Sequence, residues 1–155
     1  MKMSLDLVQV PFRNCTVSFR IPSQWIDVDE EGTGAMYAEP GRDDGALRLD
    51  VISVSTGDSP AQDRMVEYMS AEHGEVFQLS NGNVLRYYSE DARQDDSIVM
   101  HYWHLGCALR KDFFCIAVFS YTLLKTLALS VESLDMVEFL RAEIRNASIS
   151  QSAVQ

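Results

Sequence analysis

Apolar and polar side chains alternate through Val17-Ser18-Phe19-Arg20-Ile21, and the alternation stops at Pro22. On an extended backbone Val17, Phe19 and Ile21 share one face, while Thr16, Ser18 and Arg20 share the other. Pro22 has no N–H to give a ladder, so the strand is expected to end there. Trp25 then carries a large apolar ring back toward the core, with its indole N–H expected on a loop carbonyl. Beyond the polar loop Asp27-Val28-Asp29-Glu30-Glu31-Gly32-Thr33-Gly34, Ala35 to Ala38 reads as a short strand. A cluster of turn residues over 39–45 separates it from a third strand, in which Leu47, Leu49 and Val51 alternate with Arg48 and Asp50. Strands joined by turns in this way predict an antiparallel meander.

The period then changes from two to about 3.6. Ser59-Pro60-Ala61-Gln62 has the form of a helix start, with Ser59 as cap, Pro60 at the first helical position and Gln62 closing a capping box. Met65, Tyr68, Met69 and Glu72 follow at helical spacing, and His73-Gly74 supplies a glycine stop. A second β block opens with Val76 to Leu79 and Val84 to Tyr88 around Asn81-Gly82, a hairpin signal. Two long strands, Ile98 to Leu109 and Phe113 to Thr122, meet near Arg110-Lys111-Asp112. A last helix starts at Ser130, with Leu134, Val137, Leu140 and Ile144 as its apolar stripe. The order is βββ-α-ββββ-α. It predicts an α+β fold in which two helices pack on an antiparallel sheet of about six to seven strands. The chain reads as a single domain over 1–155, ordered over 8–147, with a frayed tail at 148–155.

Charge narrows the partners. A formal net charge of −10 on 155 residues disfavours nucleic acid, whose binding rests on Lys and Arg against phosphates. An anionic membrane surface is disfavoured for the same reason. No apolar block near the N-terminus has signal-peptide form, and the stretch from Phe113 to Phe119 is far too short to span a bilayer. Cys15, Cys107 and Cys115 have no CxxC spacing, and each sits in an apolar run, which suits small core residues in a cytoplasmic protein. An odd count leaves at least one of them unpaired.

Catalytic chemistry is not signalled. Asp27-Val28-Asp29-Glu30-Glu31-Gly32 opens like a calcium loop, but position 12 is Ala38 where a bidentate Glu is needed, so a solvated acidic turn is expected. His101 and His104 are three apart on a strand and so point to opposite faces, which makes no metal pair. Cys115 shares a face with Phe113, Ala117 and Phe119, a setting that raises a thiol pKa. Asp43-Asp44 and Asp95-Asp96 read as solvated loop carboxylates, and no phosphate loop, nucleophile elbow or dinucleotide pattern is present. No metal and no cofactor are expected. Phe113 and Phe114 are adjacent, so one of them should leave any single core layer. The helices are expected to cover only one sheet face, which leaves the opposite face as a concave apolar groove for a partner.

The strand–Pro–x–x–Trp opening at Val17 to Trp25, the Ser59-Pro60 helix, the hairpin from His101 to Thr122 and the helix from Ser130 together resemble the PsbP-like superfamily. It includes photosystem extrinsic proteins, a Ran-binding protein and bacterial DcrB-type proteins related to effector chaperones. The resemblance implies a non-catalytic sheet-and-helix module that binds another protein, such as a bacterial chaperone, adaptor or immunity-like protein. Candidate partner-binding residues are Asp27, Asp29, Glu30 and Glu31 on an acidic rim, with Tyr102, His104 and Phe114 on the sheet. The expected partner is a protein that is basic or carries an exposed apolar helix, and a homodimer stays open. The rival reading is a small-molecule-binding protein or hydrolase with its site on the concave sheet face near His101 or His104.

Overall fold

A computed structural model describes residues 4–12, 14–28, 35–39, 45–71, 73–91 and 97–151. The first strand, β1 (Leu5–Phe12), lies ahead of the one expected from the alternation, and pairs antiparallel with β2 (Cys15–Pro22). Asn14 turns between them at φ 26°, a left-handed conformation that asparagine tolerates. Next come β3 (Ile26–Asp27), β4 (Ala35–Ala38), β5 (Gly45–Ser55), α1 (Ala61–Ser70), β6 (Glu75–Gln78) and β7 (Val84–Asp91). The chain continues through β8 (Ile98–Arg110), β9 (Phe113–Leu124), α2 (Val131–Arg145) and β10 (Ser148–Gln151). Where a frayed tail was expected from 148, β10 instead pairs with β2.

Two sheets result, a three-stranded one in the order β1-β2-β10 and a seven-stranded one in the order β3-β4-β5-β9-β8-β7-β6. All of their pairings are antiparallel, as expected for the α+β class. The alternation along β9 decides the layering. Phe113, Cys115, Ala117, Phe119 and Tyr121 point into a core shared with the three-stranded sheet and α2, through Val17, Phe19, Val137, Leu140 and Ile144. Phe114 and Ile116 point the other way, into a smaller core under α1 with Met65 and Met69. The helices therefore cover opposite faces, and the expectation that both cover one face is corrected. Adjacent Phe113 and Phe114 are both buried because there are two core layers.

Local signals fared unevenly. Ser130 caps α2, its hydroxyl accepting from the Ser133 N–H at 3.2 Å. Ser59 does not cap α1: Pro60 stands at the cap position with no side-chain bond, and the Gln62 amide donates instead to the Gly82 carbonyl at 2.9 Å. The buried residues of α1 are Ala61, Met65 and Met69, while Tyr68 is exposed and Glu72 lies outside the described residues. The Asn81-Gly82 hairpin forms, with Gly82 at φ 91° and the Leu79 N–H donating to the Asn83 carbonyl at 2.8 Å. Cys15 and Cys115 are fully buried and disulfide-bonded between the two sheets, with their Cα atoms 7.2 Å apart, and Cys107 is free. Burial pushes the Cys107 thiol pKa up.

Candidate functional site

The strand–Pro–x–x–Trp stretch builds the floor of a cleft. The Trp25 N–H donates to the Pro22 carbonyl at 3.0 Å, a tight turn that swings the indole back onto the end of β9. There it stacks on Tyr121, with ring centroids 6.3 Å apart and planes 11° from parallel. Gly45 at the start of β5 lies flat against the Tyr121 ring, and a Cβ added there would collide with it. Facing this floor are the link from β9 to α2 and the first turns of α2, through Leu127, Val131, Ser133 and Met136. The space between them is about 490 Å³.

The surface beside the cleft is apolar and exposed. Leu129 is 85% exposed, Val131 74% and Leu134 48%, and Leu124 and Leu127 also stand open. Val131 and Leu134 are three apart on α2 and so share a face. Leu134 was expected in the buried stripe of the helix, but the buried residues of α2 are Val137, Leu140, Glu143 and Ile144. The entry of the helix runs past the edge of the core, which leaves its first apolar turn without a cover. Acidic side chains border this surface. Glu39 and Glu132 line the cleft, and Asp135 and Glu138 follow along α2. Asp27 is exposed on β3 and, together with burial, holds the Tyr37 hydroxyl above its ordinary pKa, burial being the larger cause.

A second surface lies on the far side of the seven-stranded sheet, on the part that α1 leaves uncovered. Tyr88 and Tyr102 are paired across β7 and β8 and stack at 4.8 Å. His104 meets Tyr88 edge-on at 5.6 Å, and its Nδ1 lies 2.8 Å from Arg86 Nη2. A guanidinium can only donate, so Nδ1 is the acceptor and the proton of neutral His104 is on Nε2. Burial and the charge of Glu90 raise the Tyr102 pKa, burial first. His101 faces the main core instead, hydrogen-bonded to the Tyr87 hydroxyl at 2.7 Å and stacked near Trp103. Burial, then the charge of Arg141, lowers its pKa. As expected, the two histidines point to opposite faces.

The expected site residues thus do not converge. Asp27, Tyr37, Leu47, Tyr121 and His101 form one cross-strand row, so Asp27 belongs to the face that carries the cleft. Tyr102 and His104 belong to the opposite face. Phe114 is 2% exposed beneath α1 and is a core residue. Asp29, Glu30 and Glu31 lie outside the described residues, as do Asp43, Asp44, Asp95 and Asp96. The residues missed are Leu127, Leu129 and Val131. Their signal was available: Leu127 and Leu129 sit in the short link between β9 and α2, and Val131 opens α2 outside its expected apolar stripe. Among the described residues no three His, Cys, Asp or Glu side chains are grouped to hold a metal ion, and no helix is long and apolar enough to cross a membrane.

No family model matches the chain, and no curated protein matches it in sequence. Solved structures do match in fold. The Ran-binding protein Mog1p of Saccharomyces cerevisiae superposes with a TM-score of 0.55 at 14% identity, over 95% of this chain and 96% of that one. A point mutant of Mog1 gives a TM-score of 0.51 at 14% identity, over 92% of this chain and 95% of that one. A structure from Bacteroides thetaiotaomicron VPI-5482 gives 0.54 at 13% identity, over 88% of this chain but 45% of that one. The fold is the PsbP/Mog1-like α+β fold that the sequence pattern implied.

Proposed function

We propose that this chain is a non-catalytic protein-binding module that seats its partner in the cleft between the Trp25–Tyr121 stack and the start of α2. The observation that carries the reading is the exposure of Leu129, Val131 and Leu134 beside an open cleft bordered by Glu39 and Glu132. Apolar side chains so exposed and so close together mark an interaction surface, and the acidic border selects for a basic partner. The fitting partner is a protein with an exposed apolar helix or segment flanked by Lys or Arg, and the role is that of a bacterial-type chaperone, adaptor or immunity-like protein. Shared fold with a Ran-binding protein supports the class of partner and makes a Ran-type GTPase one purified protein to try.

The test is affinity capture at low salt with the wild-type chain and Leu129→Glu side by side, followed by reconstitution from purified components. A stoichiometric protein that rebinds wild type and is lost from Leu129→Glu is the expected result. Recovery of none, or equal binding to both, would overturn the reading. The hydrolase reading has less support, because His101 and His104 point to opposite faces of the sheet and neither lines the cleft.

A further inference from the structure

β1 is an edge strand of the three-stranded sheet, and among the described residues nothing pairs with its outer side. Which of its backbone groups face outward follows from one bond. The Ser23 N–H donates to the Ser4 carbonyl at 2.9 Å, so the pair Ser4–Ser23 is of the hydrogen-bonded kind. In the same register Asp6, Val8, Val10 and Phe12 also direct their amides at β2, and Leu5, Leu7, Gln9 and Pro11 direct theirs away. Pro11 falls on the outward set, where its missing N–H costs no ladder bond. The side chains of this set lie on the outer face of the sheet, and Leu7 is 63% exposed opposite Arg20.

From this edge we infer that the chain self-associates, β1 pairing antiparallel with β1 of a second copy about a two-fold axis through Leu7. A two-fold axis perpendicular to the sheet keeps each face on its own side, so only residues of like parity can stand opposite one another. Of the registers this allows, centring on Asp6 sets two carboxylates against each other, which is unfavourable. Centring on Val8 or Gln9 brings Pro11 opposite Leu5 or Leu7, leaving a carbonyl without its donor. Centring on Leu7 avoids both. Leu7 meets Leu7, Leu5 meets Gln9, and each pair exchanges its two backbone bonds, while Asp6 stands opposite Val8. The strand is therefore self-complementary in the register centred on Leu7.

One strand edge buries less than the roughly 800 Å² per partner of a standard interface, so the dimer is a concentration-dependent one. Two copies at −10 each also repel. Salt strengthens this association by screening within a Debye length of about 10 Å at 0.1 M. That is the reverse of what salt does to a basic partner at the acidic cleft, so the two surfaces are separable in one titration.

The test is light scattering on the full chain over a concentration series at low and high salt, with amide exchange read at β1. The mass should climb from 17.5 kDa toward twice that value, more readily at high salt. Protection should appear with concentration at the Leu5, Leu7 and Gln9 amides, which point away from β2 and pair with nothing among the described residues, while those of Val8 and Val10 are protected throughout. Leu7→Lys sets two cations together at the axis, and Gln9→Pro deletes an outward donor without touching β2; each should raise the dissociation constant about tenfold or more. A mass that stays at 17.5 kDa at every concentration and salt overturns the proposal. So does a dimer whose Leu7 amide still exchanges freely, a reading that needs no variant to fold.

Discussion

Arg20 and Glu143 are 123 positions apart and form a two-pronged ion pair, Nε to Oε2 at 2.9 Å and Nη2 to Oε1 at 2.8 Å. It ties β2 to α2 beside the main core, and the fork geometry is the one guanidinium and carboxylate make best. The partners are unequal. Glu143 is 8% exposed, whereas the Arg20 side chain stands half in water. Removing the arginine strands a buried carboxylate; removing the carboxylate frees a cation that water can solvate. Arg20→Ala should therefore lower the melting temperature more than Glu143→Gln. The double variant should be no worse than Arg20→Ala alone, and a thermal double-mutant cycle checks this. Additive losses would mean the pair is not coupled.

Gly106 of β8 lies directly beneath the side chain of Met65 on α1. A Cβ on Gly106 would lie 2.9 Å from Met65 Sδ and 3.0 Å from its Cγ, and Met65 is fully buried. A methionine end can shift, so Gly106→Ala should cost about 1 kcal/mol, and the larger Gly106→Val about 3 kcal/mol by overpacking. Met65→Ala opens space at the same spot. Combined with Gly106→Val it should recover at least about 0.5 kcal/mol relative to additivity, measured by urea unfolding.

How far such contacts could be read from the chain depends on their range. The alternation in β2, β5 and β9 and the Asn81-Gly82 turn are local, since each needs only neighbours along the chain and the geometry of an extended backbone. Gly106 opposite Met65, or Arg20 opposite Glu143, depends on which face each helix covers, and no period carries that information. Leu134 shows the same limit. Its spacing is that of a buried stripe, but whether a stripe is buried is decided by where the core ends. β1 carries no clear strand pattern because Asp6 and Pro11 interrupt its alternation, and β10 carries none because Ser148-Ile149-Ser150-Gln151 has a single apolar residue to bury. At the candidate site, Trp25 was legible as an anchor, whereas Leu127, Leu129 and Val131 were not brought together. The link over 125–130 is too short to show a period.

Stability should fall as the solution is acidified through the histidine range. The imidazole of His101 is held neutral by burial and by the charge of Arg141, so its folded pKa lies below the ordinary value. Between the folded value and the ordinary one near 6.5, the unfolded chain binds more protons than the folded chain, and unfolding is favoured as pH drops. The contribution is fully present above the ordinary value and lost as pH falls through the folded one. His101→Gln can keep a bond to the Tyr87 hydroxyl but cannot titrate. Denaturant midpoints measured from pH 7.5 down to 5 should therefore fall less steeply for His101→Gln than for wild type. Equal slopes would remove His101 from the acid response.

The cleft predicts a separation of binding from stability. Leu129 is 85% exposed and Val131 74% exposed, so Leu129→Lys and Val131→Lys should each change stability by less than about 0.5 kcal/mol. The floor behaves differently. Trp25 is 8% exposed and stacked on Tyr121, and Trp25→Ala should cost about 3–5 kcal/mol. If the partner lays an apolar face across the apolar surface beside the cleft, both lysine variants should weaken it by tenfold or more, about 1.4 kcal/mol each. Glu132→Gln and Glu39→Gln should weaken it less, and chiefly at low salt, because border charges act on encounter and are screened. Calorimetric titration of the purified partner at two ionic strengths, beside melting curves for each variant, reads all of these at once. A partner whose affinity ignores Leu129 and Val131 but collapses when Tyr102→Ala is made would bind on the far face of the sheet, and the cleft would lose its role.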